Sequence, residues 1–243
     1  MSEVYTWTQE WATARGIKFW NADETPSTNT IAKNEESVAP AAPQVSKISE
    51  PALYLAKRQT AGRGRGSNSW ESANGALLSS WVFRCTSAPQ PILAPLAGLA
   101  LFEALGSVFS GLRLSLKAPN DVFSFDKKIA GLLIETVITG RDVKTVIGLG
   151  LNVMSSPGSI ETAGAISDSA HVDRSLWLGF LDAWRAKLQI AAEAGLETSL
   201  SHDVRARLRD ALNMNPLRKD RVMTIGPQGE IETAHGFVHW HQL

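Results

Sequence analysis

The chain has 243 residues, of which 44% are hydrophobic, enough for one large domain or a main domain with a small appendage around a sizeable core. Lysine plus arginine and aspartate plus glutamate stand at 24 each, so there is no global basic field of the kind that holds nucleic acid or an anionic membrane, and any anion site must be local. The single cysteine, Cys85, excludes an internal disulfide.

The opening residues MSEVYTWTQEW carry neither the basic segment nor the apolar run of a secretory signal. Apolar stretches such as residues 91–105 are interrupted by proline, glycine and glutamate, short of the roughly 20 residues that cross a bilayer. A cytoplasmic protein without a membrane span is expected. Residues 4–15 place tryptophans at helical spacing and predict an amphipathic helix stopping at Gly16, with a strand over 17–20. Residues 34–50, rich in alanine, proline, serine and glutamate, predict a mobile, exposed connection. Strands are predicted over 53–57 and 76–84, with the glycine-rich segment 62–66 between them. A helix over 91–109 and a half-buried strand over 112–116 follow. Two further strands, 129–138 and 143–153, are separated by a turn at 139–142. Together these predict a mixed α/β (α+β) domain with a largely antiparallel sheet. Helices over 175–194 and 202–212 come next, and beyond residue 217 two strands, 221–225 and 230–239, read as a hairpin around a turn at 226–229.

Four segments carry chemistry. RQTAGRGRGSNSW, residues 58–70, concentrates three arginines and three glycines in a loop after a strand. Glycine lets backbone approach a ligand, and the arginine fork holds phosphate or carboxylate oxygens. Alone, the string reads equally well as a solvated surface loop. KAPND, residues 117–121, closes a strand: Lys117 offers a point charge to phosphate, Asp121 a carboxylate to a metal or hydroxyl, and the competing reading is plain turn chemistry. KIAGLLIE, residues 128–135, opens an apolar strand with Lys128 at its mouth, where a solvated strand-end lysine is the alternative. GLGLNV, residues 148–153, puts two glycines in a strand, a mark of close approach by a ligand or another backbone, and ends on Asn152, which is placed to read a base or ribose; no helix opens there, so it is not a dinucleotide fingerprint. Near the start, Ser27, Thr28 and Asn29 follow Pro26 and read as the cap of a helix, whose first amides also suit an anion.

Taken in order, Ser27-Thr28-Asn29, RQTAGRGRG, KAPND with KIAG, and GLGLNV resemble the catalytic domain of biotin protein ligases, strongly over residues 19–153 and weakly beyond. The resemblance implies a fold related to class II aminoacyl-tRNA synthetases, with a catalytic domain over 1–214 and a short, incomplete SH3-like β unit over 215–243. It implies biotin activation with ATP and Mg²⁺ as biotinyl-5'-AMP, followed by transfer to a lysine of a biotin carboxyl carrier protein, such as an acetyl-CoA carboxylase subunit. It implies biotin contacts from Ser27, Thr28, Asn29, Gln59, Gly62, Arg63, Gly64, Arg65, Lys128 and Gly131. Nucleotide contacts fall to Arg65, Trp70, Lys117, Asn120, Asp121 and Asn152, catalysis to Lys117, Arg63 and Arg65, and a metal ligand to Asp121.

Some features depart from the family pattern. Ala118 stands where tryptophan is frequent, the loop continues as Gly66-Ser67-Asn68, and the tail is short. With the sheet beginning by residue 17, no DNA-binding domain is expected before the catalytic one, nor are repressor activity and nucleic-acid contact. A monomer or weak homodimer is. The competing functions are a lipoate or octanoate protein ligase, a non-catalytic nucleotide-binding relative, and a nucleic-acid module, the last opposed by the zero net charge.

Overall fold

A computed structural model describes residues 3–243. Helix α1 (Glu3–Ala14) buries Val4, Tyr5, Thr8, Trp11 and Ala12, the positions that one helical face brings together, and Gly16 ends it at positive φ. Seven strands form the main sheet: β1 (Phe19–Thr25), β2 (Ala52–Gln59), β3 (Leu77–Cys85), β4 (Leu114–Lys117), β5 (Asp121–Ser124), β6 (Lys127–Thr139) and β7 (Asp142–Leu151). Their order across the sheet is β1-β2-β3-β7-β6-β5-β4, with β1 parallel to β2 and every other pair antiparallel. Helices α2 (Thr28–Asn34), α3 (Leu93–Val108), α4 (Arg174–Ala194) and α5 (His202–Asn213) complete the layers.

Strand alternation sorts the side chains into two faces. Leu53, Leu55, Trp81, Phe83, Ile147 and Leu149 join α1, α3 and α4 in one apolar cluster that also holds Trp177, Phe180 and Trp184. Trp81 lies 6.1 Å from Trp11 and 6.4 Å from Trp184 in edge-on contacts, each worth about 0.5–1.5 kcal/mol beyond the area buried. The intervening positions, Ala52, Tyr54, Val82 and Val146, pack beneath Ala32 of α2 on the opposite face. Covered on both sides, β3 and β7 read as nearly continuous apolar runs.

Several sequence expectations need correction. The first strand runs to Thr25, well past residue 20, because parallel pairing with β2 carries it along. KAPND is more than a strand end: β4 stops at Lys117, the Ala118–Pro119 bond is cis, and Asp121 begins β5, which turn-like composition concealed. The connection after α2 is tied to the sheet, since Ile48 is buried in a bridge to Cys85 and Glu36 is ion-paired to Lys144 and Arg84. The tail is a three-stranded antiparallel sheet of β8 (Val222–Ile225), β9 (Ile231–Thr233) and β10 (Gly236–Val238), in the order β10-β9-β8. The expected strand over 230–239 is thus two strands, turned at Ala234 and His235. Val222, Ile225 and Ile231 belong to the main apolar cluster. Among the described residues, no helix is long and apolar enough to cross a membrane.

Candidate active site

The α2 face of the sheet opens into a cavity because β7 withholds side chains there. Lys144, Val146, Gly148 and Gly150 alternate onto this face, and the last two leave bare backbone. A Cβ on Gly148 would collide with the Asn29 amide, and one on Gly150 with the Trp70 indole. The close approach that the glycines signal is therefore made by the protein's own side chains, which occupy the positions that ordinary residues would fill.

Around this floor stands a polar wall. Ser27, Thr28 and Asn29 are buried. The Thr28 amide and hydroxyl both donate to Gln59 Oε1, at 2.8 and 3.1 Å, while Ser27, at the cap position, makes no side-chain cap bond. Ser80 Oγ sits 2.8 Å from Thr28 Oγ1 and 2.5 Å from Asn29 Oδ1. Gln59, at the end of β2, thus locks the start of α2 to the sheet and to the glycine-rich loop that follows.

That loop is compact. Gly64 N–H donates to Asn68 O, Asn68 N–H to Arg65 O and Trp70 N–H to Gly62 O, so residues 62–70 fold back on themselves. Arg63 reaches across to Glu135 of β6 at 2.5 Å. The same carboxylate accepts from Asn29 Nδ2 at 2.9 Å and Lys33 Nζ at 2.7 Å. Burial opposes the charge on Glu135, but the bonds from Lys33, Asn29 and Arg63 outweigh it and hold the carboxyl below the usual glutamate range. On the other side, Lys128 Nζ pairs with Asp121 at 2.8 Å and lies 5.8 Å from the Trp70 ring centre, with the bare Gly131 beside the pair.

These elements enclose about 340 Å³, lined by Ser27, Thr28, Asn29, Gln59, Arg63, Gly64, Arg65, Trp70, Asn120, Asp121, Lys128 and Gly131 among the residues expected from sequence. Asn120 is fixed by its side-chain bond to the Leu132 carbonyl. Gly62 is buried behind the loop, against Trp70 and Gln59. Lys117 is not brought in: its side chain is exposed, with Nζ 5.6 Å from the Phe123 ring centre. Asn152 lines a smaller adjoining cavity of about 110 Å³, whose wall of Ser69, Trp70 and Lys128 is shared with the first. Its Nδ2 donates to Gly164 O at 2.9 Å, and its Oδ1 is buried without a partner among the described residues. Ser79, whose side chain shares the opposite face of β3 with Trp81 and Phe83, borders the main cavity, and its Oγ is likewise buried without a partner among the described residues.

Sequence reasoning missed Glu135, Lys33 and Ser80. Parity held the clue to the first, since Glu135 shares its face of β6 with Gly131 and Leu133, so a carboxylate in that apolar run had to face the site. Among the described residues, no three His, Cys, Asp or Glu side chains cluster as a metal site.

Fold and cavity define an α/β domain with a polar cavity of small-molecule size between a glycine-rich loop and a sheet. Residues 22–152 match the model of the biotin/lipoate A/B protein ligase family, and the chain belongs to that family. It is 34% identical over 146 residues to the biotin–[acetyl-CoA-carboxylase] ligase of Paracoccus denitrificans, covering 58% of each chain. It is 32% identical over 157 residues to the bifunctional ligase/repressor BirA of Escherichia coli, covering 60% of this chain and 49% of that one. The matched stretches thus span about half the length of these relatives. The fold is shared with the biotin protein ligase of Aquifex aeolicus in complex with biotin and ATP, at a TM-score of 0.65 and 21% identity, covering 91% of this chain and 94% of that one.

Two predictions follow from this geometry. Gly150→Ala should destabilise the parent by about 1–3 kcal/mol through overpacking against Trp70, and by under about 0.5 kcal/mol in a Trp70→Ala background, where the clash is gone. Denaturant unfolding of the four proteins checks this, and equal costs in both backgrounds would refute the contact. Because the folded-state pKa of Glu135 is depressed, its stabilisation is present above the unfolded value and disappears as pH falls through the folded one. The stability gap between the parent and Glu135→Gln should therefore be constant near neutrality and close in acid; a gap independent of pH in thermal melts would count against the triple pairing.

Proposed function

We propose that this protein is an ATP-dependent ligase that forms biotinyl-5'-AMP and transfers biotin to a lysine of a biotin carboxyl carrier protein. The observation that carries the reading is the pair of adjoining cavities divided by Trp70 and Lys128. One holds neutral hydrogen-bonding groups and cations, fit for a polar acid, and the other is lined by Asn152, whose buried Oδ1 has no partner among the described residues and would be satisfied by a ribose hydroxyl or base amine. A volume of about 340 Å³ lies within the range of about 300–1,000 Å³ usual for small-molecule sites.

In this reading Ser27, Thr28, Asn29, Gln59, Gly62, Gly64 and Gly131 shape the acid end, and Trp70, Asn120, Asp121 and Asn152 the nucleotide end. A biotin carboxylate oxygen attacks the α-phosphorus, and the bond to pyrophosphate breaks. Charge grows on the phosphoryl oxygens, where Arg63, Arg65 and Lys117 act by position and electrostatics. Arg63 exchanges Glu135 for the ligand, and Lys117 turns inward from Phe123. In the second step the neutral amine of the carrier lysine attacks the acyl carbon, AMP leaves with the bonding pair, and the amine proton passes to solvent. The anhydride is already activated, so no protein nucleophile is needed. Lys128 and the ordered loop keep water from the anhydride.

Asp121 is already paired with Lys128. With no acidic cluster among the described residues, the donor set does not fit a magnesium ion held by the protein alone. The Mg²⁺ of the reaction is the ion that ATP phosphates bring with them. We assign catalysis to residues 1–214, with 215–243 as an appended β unit, in a cytoplasmic monomer or weak homodimer that engages neither nucleic acid nor membrane.

The test is incubation with ATP, Mg²⁺ and radiolabelled biotin, with and without a biotin carrier domain, against lipoate as the acid. Biotin-dependent pyrophosphate release with label on the carrier lysine is expected. Preference for lipoate would reassign the acid, and binding without turnover would make the chain a non-catalytic relative. Lys117→Ala should slow biotin-dependent pyrophosphate exchange by about 100- to 1,000-fold, the loss typical of one transition-state donor, while biotin affinity by calorimetry changes little. Exchange at the parent rate would remove Lys117 from the mechanism.

A further inference from the structure

The mechanism uses no group at the far end of α2, yet a lysine is buried there. Lys144 of β7 has a side chain only 4% exposed, and its ammonium donates to the Lys33 carbonyl at 2.9 Å, approaches the Ala32 carbonyl at 3.5 Å, and pairs with the Glu36 carboxylate. Its cross-strand neighbour Arg84 bridges Glu36, at 2.6 Å, and Asp142, so two cations and two carboxylates form one balanced cluster beneath the end of the helix.

Taking an ammonium out of water is expensive, and an apolar residue of similar size would bury the same area at no such cost. What an apolar side chain cannot do is fix direction. The last carbonyls of a helix lack partners within it and attract a cation. A helix of only seven residues also has little stability of its own, so its position must be imposed from outside. Strand β7 imposes it along one face. Gly148 admits the Asn29 side chain, Val146 packs against Ala32, and Lys144 holds the final carbonyls. The residues two and four places from the lysine thus seat the turn that carries Thr28 and Asn29 into the cavity.

We infer that Lys144 is a positioning residue for the acid-binding end of the site, acting through α2 and touching no substrate. Substrate specificity rests on the ligase reading; placement of the helix does not. Removing the ammonium leaves the final carbonyls of α2 without their cation and the helix held by Gln59 and Ser80 at Thr28, by Glu135 at Asn29 and Lys33, and by packing at Ala32, so the turn bearing Thr28 and Asn29 is placed less firmly, and the acid binds less tightly while the phosphoryl-transfer groups on the loop and on β4 stay in place.

The experiment compares the full chain with Lys144→Met, Lys144→Gln and Lys144→Arg by two readouts. In biotin-dependent pyrophosphate exchange, the Met variant should raise the KM for biotin by about tenfold, with kcat and the KM for ATP within about threefold of the parent, the split expected for lost substrate positioning. Lys144→Arg, which keeps a cation at the carbonyls, should recover most of the loss, and Lys144→Gln, which keeps a donor without the charge, should fall between and serves where the Met variant does not fold. In native-state amide hydrogen exchange, the α2 amides of the Met or Gln variant should exchange about tenfold faster or more, with β3 and β7 unchanged. A folded Met or Gln variant with lowered thermal stability but the parent's biotin KM and α2 exchange would overturn the inference. If the parent makes no acyl-adenylate, the ligase reading fails, and the α2 exchange rates alone decide whether Lys144 places the helix.

Discussion

The site depends on two places where a strand has no side chain. At Gly148 and Gly150 the sheet's backbone is open, and Asn29 and Trp70 settle onto it closer than any Cβ would allow. Asn29 carries the start of α2, and Trp70 closes the arginine loop and forms the wall between the two cavities. A methyl group at either position would push one wall of the site off the sheet, so these glycines are structural determinants of a binding surface they need not touch.

A second constraint is electrostatic. The protein has no net charge, and two of the cations gathered at the cavity are paired, Arg63 with Glu135 and Lys128 with Asp121. Buried or half-buried cations need partners when no ligand is bound. Internal carboxylates supply them, and under the proposed function an incoming anion would compete for the same groups. Glu135 is the most heavily used of these, collecting the loop, the first turn of α2 and its last turn on one carboxylate. Loop and helix are therefore coupled through a single side chain.

Much of this is legible in the sequence. The long strands β6 and β7, the helix α4 and the arginine loop follow from periodicity and turn chemistry, and the motif residues from Ser27 to Gly131 line one cavity with few exceptions. What was hidden depended on tertiary context. Lys117 and Asn152 stand in motifs beside lining residues, yet one side chain turns outward onto Phe123 and the other faces the neighbouring chamber. Strand β5 escaped notice because Pro-Asn-Asp reads locally as a turn, and only pairing with β4 and β6 makes it a strand. Residues 34–50 look like a loose connection by composition, but the ion pair of Glu36 with buried Lys144 belongs to partners more than a hundred positions apart. Glu135 was visible in the motif and given no role, because its partners Asn29, Lys33 and Arg63 come from other segments.

The central claim is that the two adjoining cavities together hold an activated acid, with its acyl end against Asn29 and Gln59 and its nucleotide across the Trp70 wall beside Asn152. The most direct measurement is a crystal structure of the chain with a non-hydrolysable biotinyl-adenylate analogue. The account predicts the ureido and carbonyl groups among Ser27, Thr28, Asn29 and Gln59, the phosphate within hydrogen-bond reach of Arg63 or Arg65, and Arg63 released from Glu135. An analogue bound elsewhere, or one lying in these cavities with both arginines turned to solvent, would contradict it.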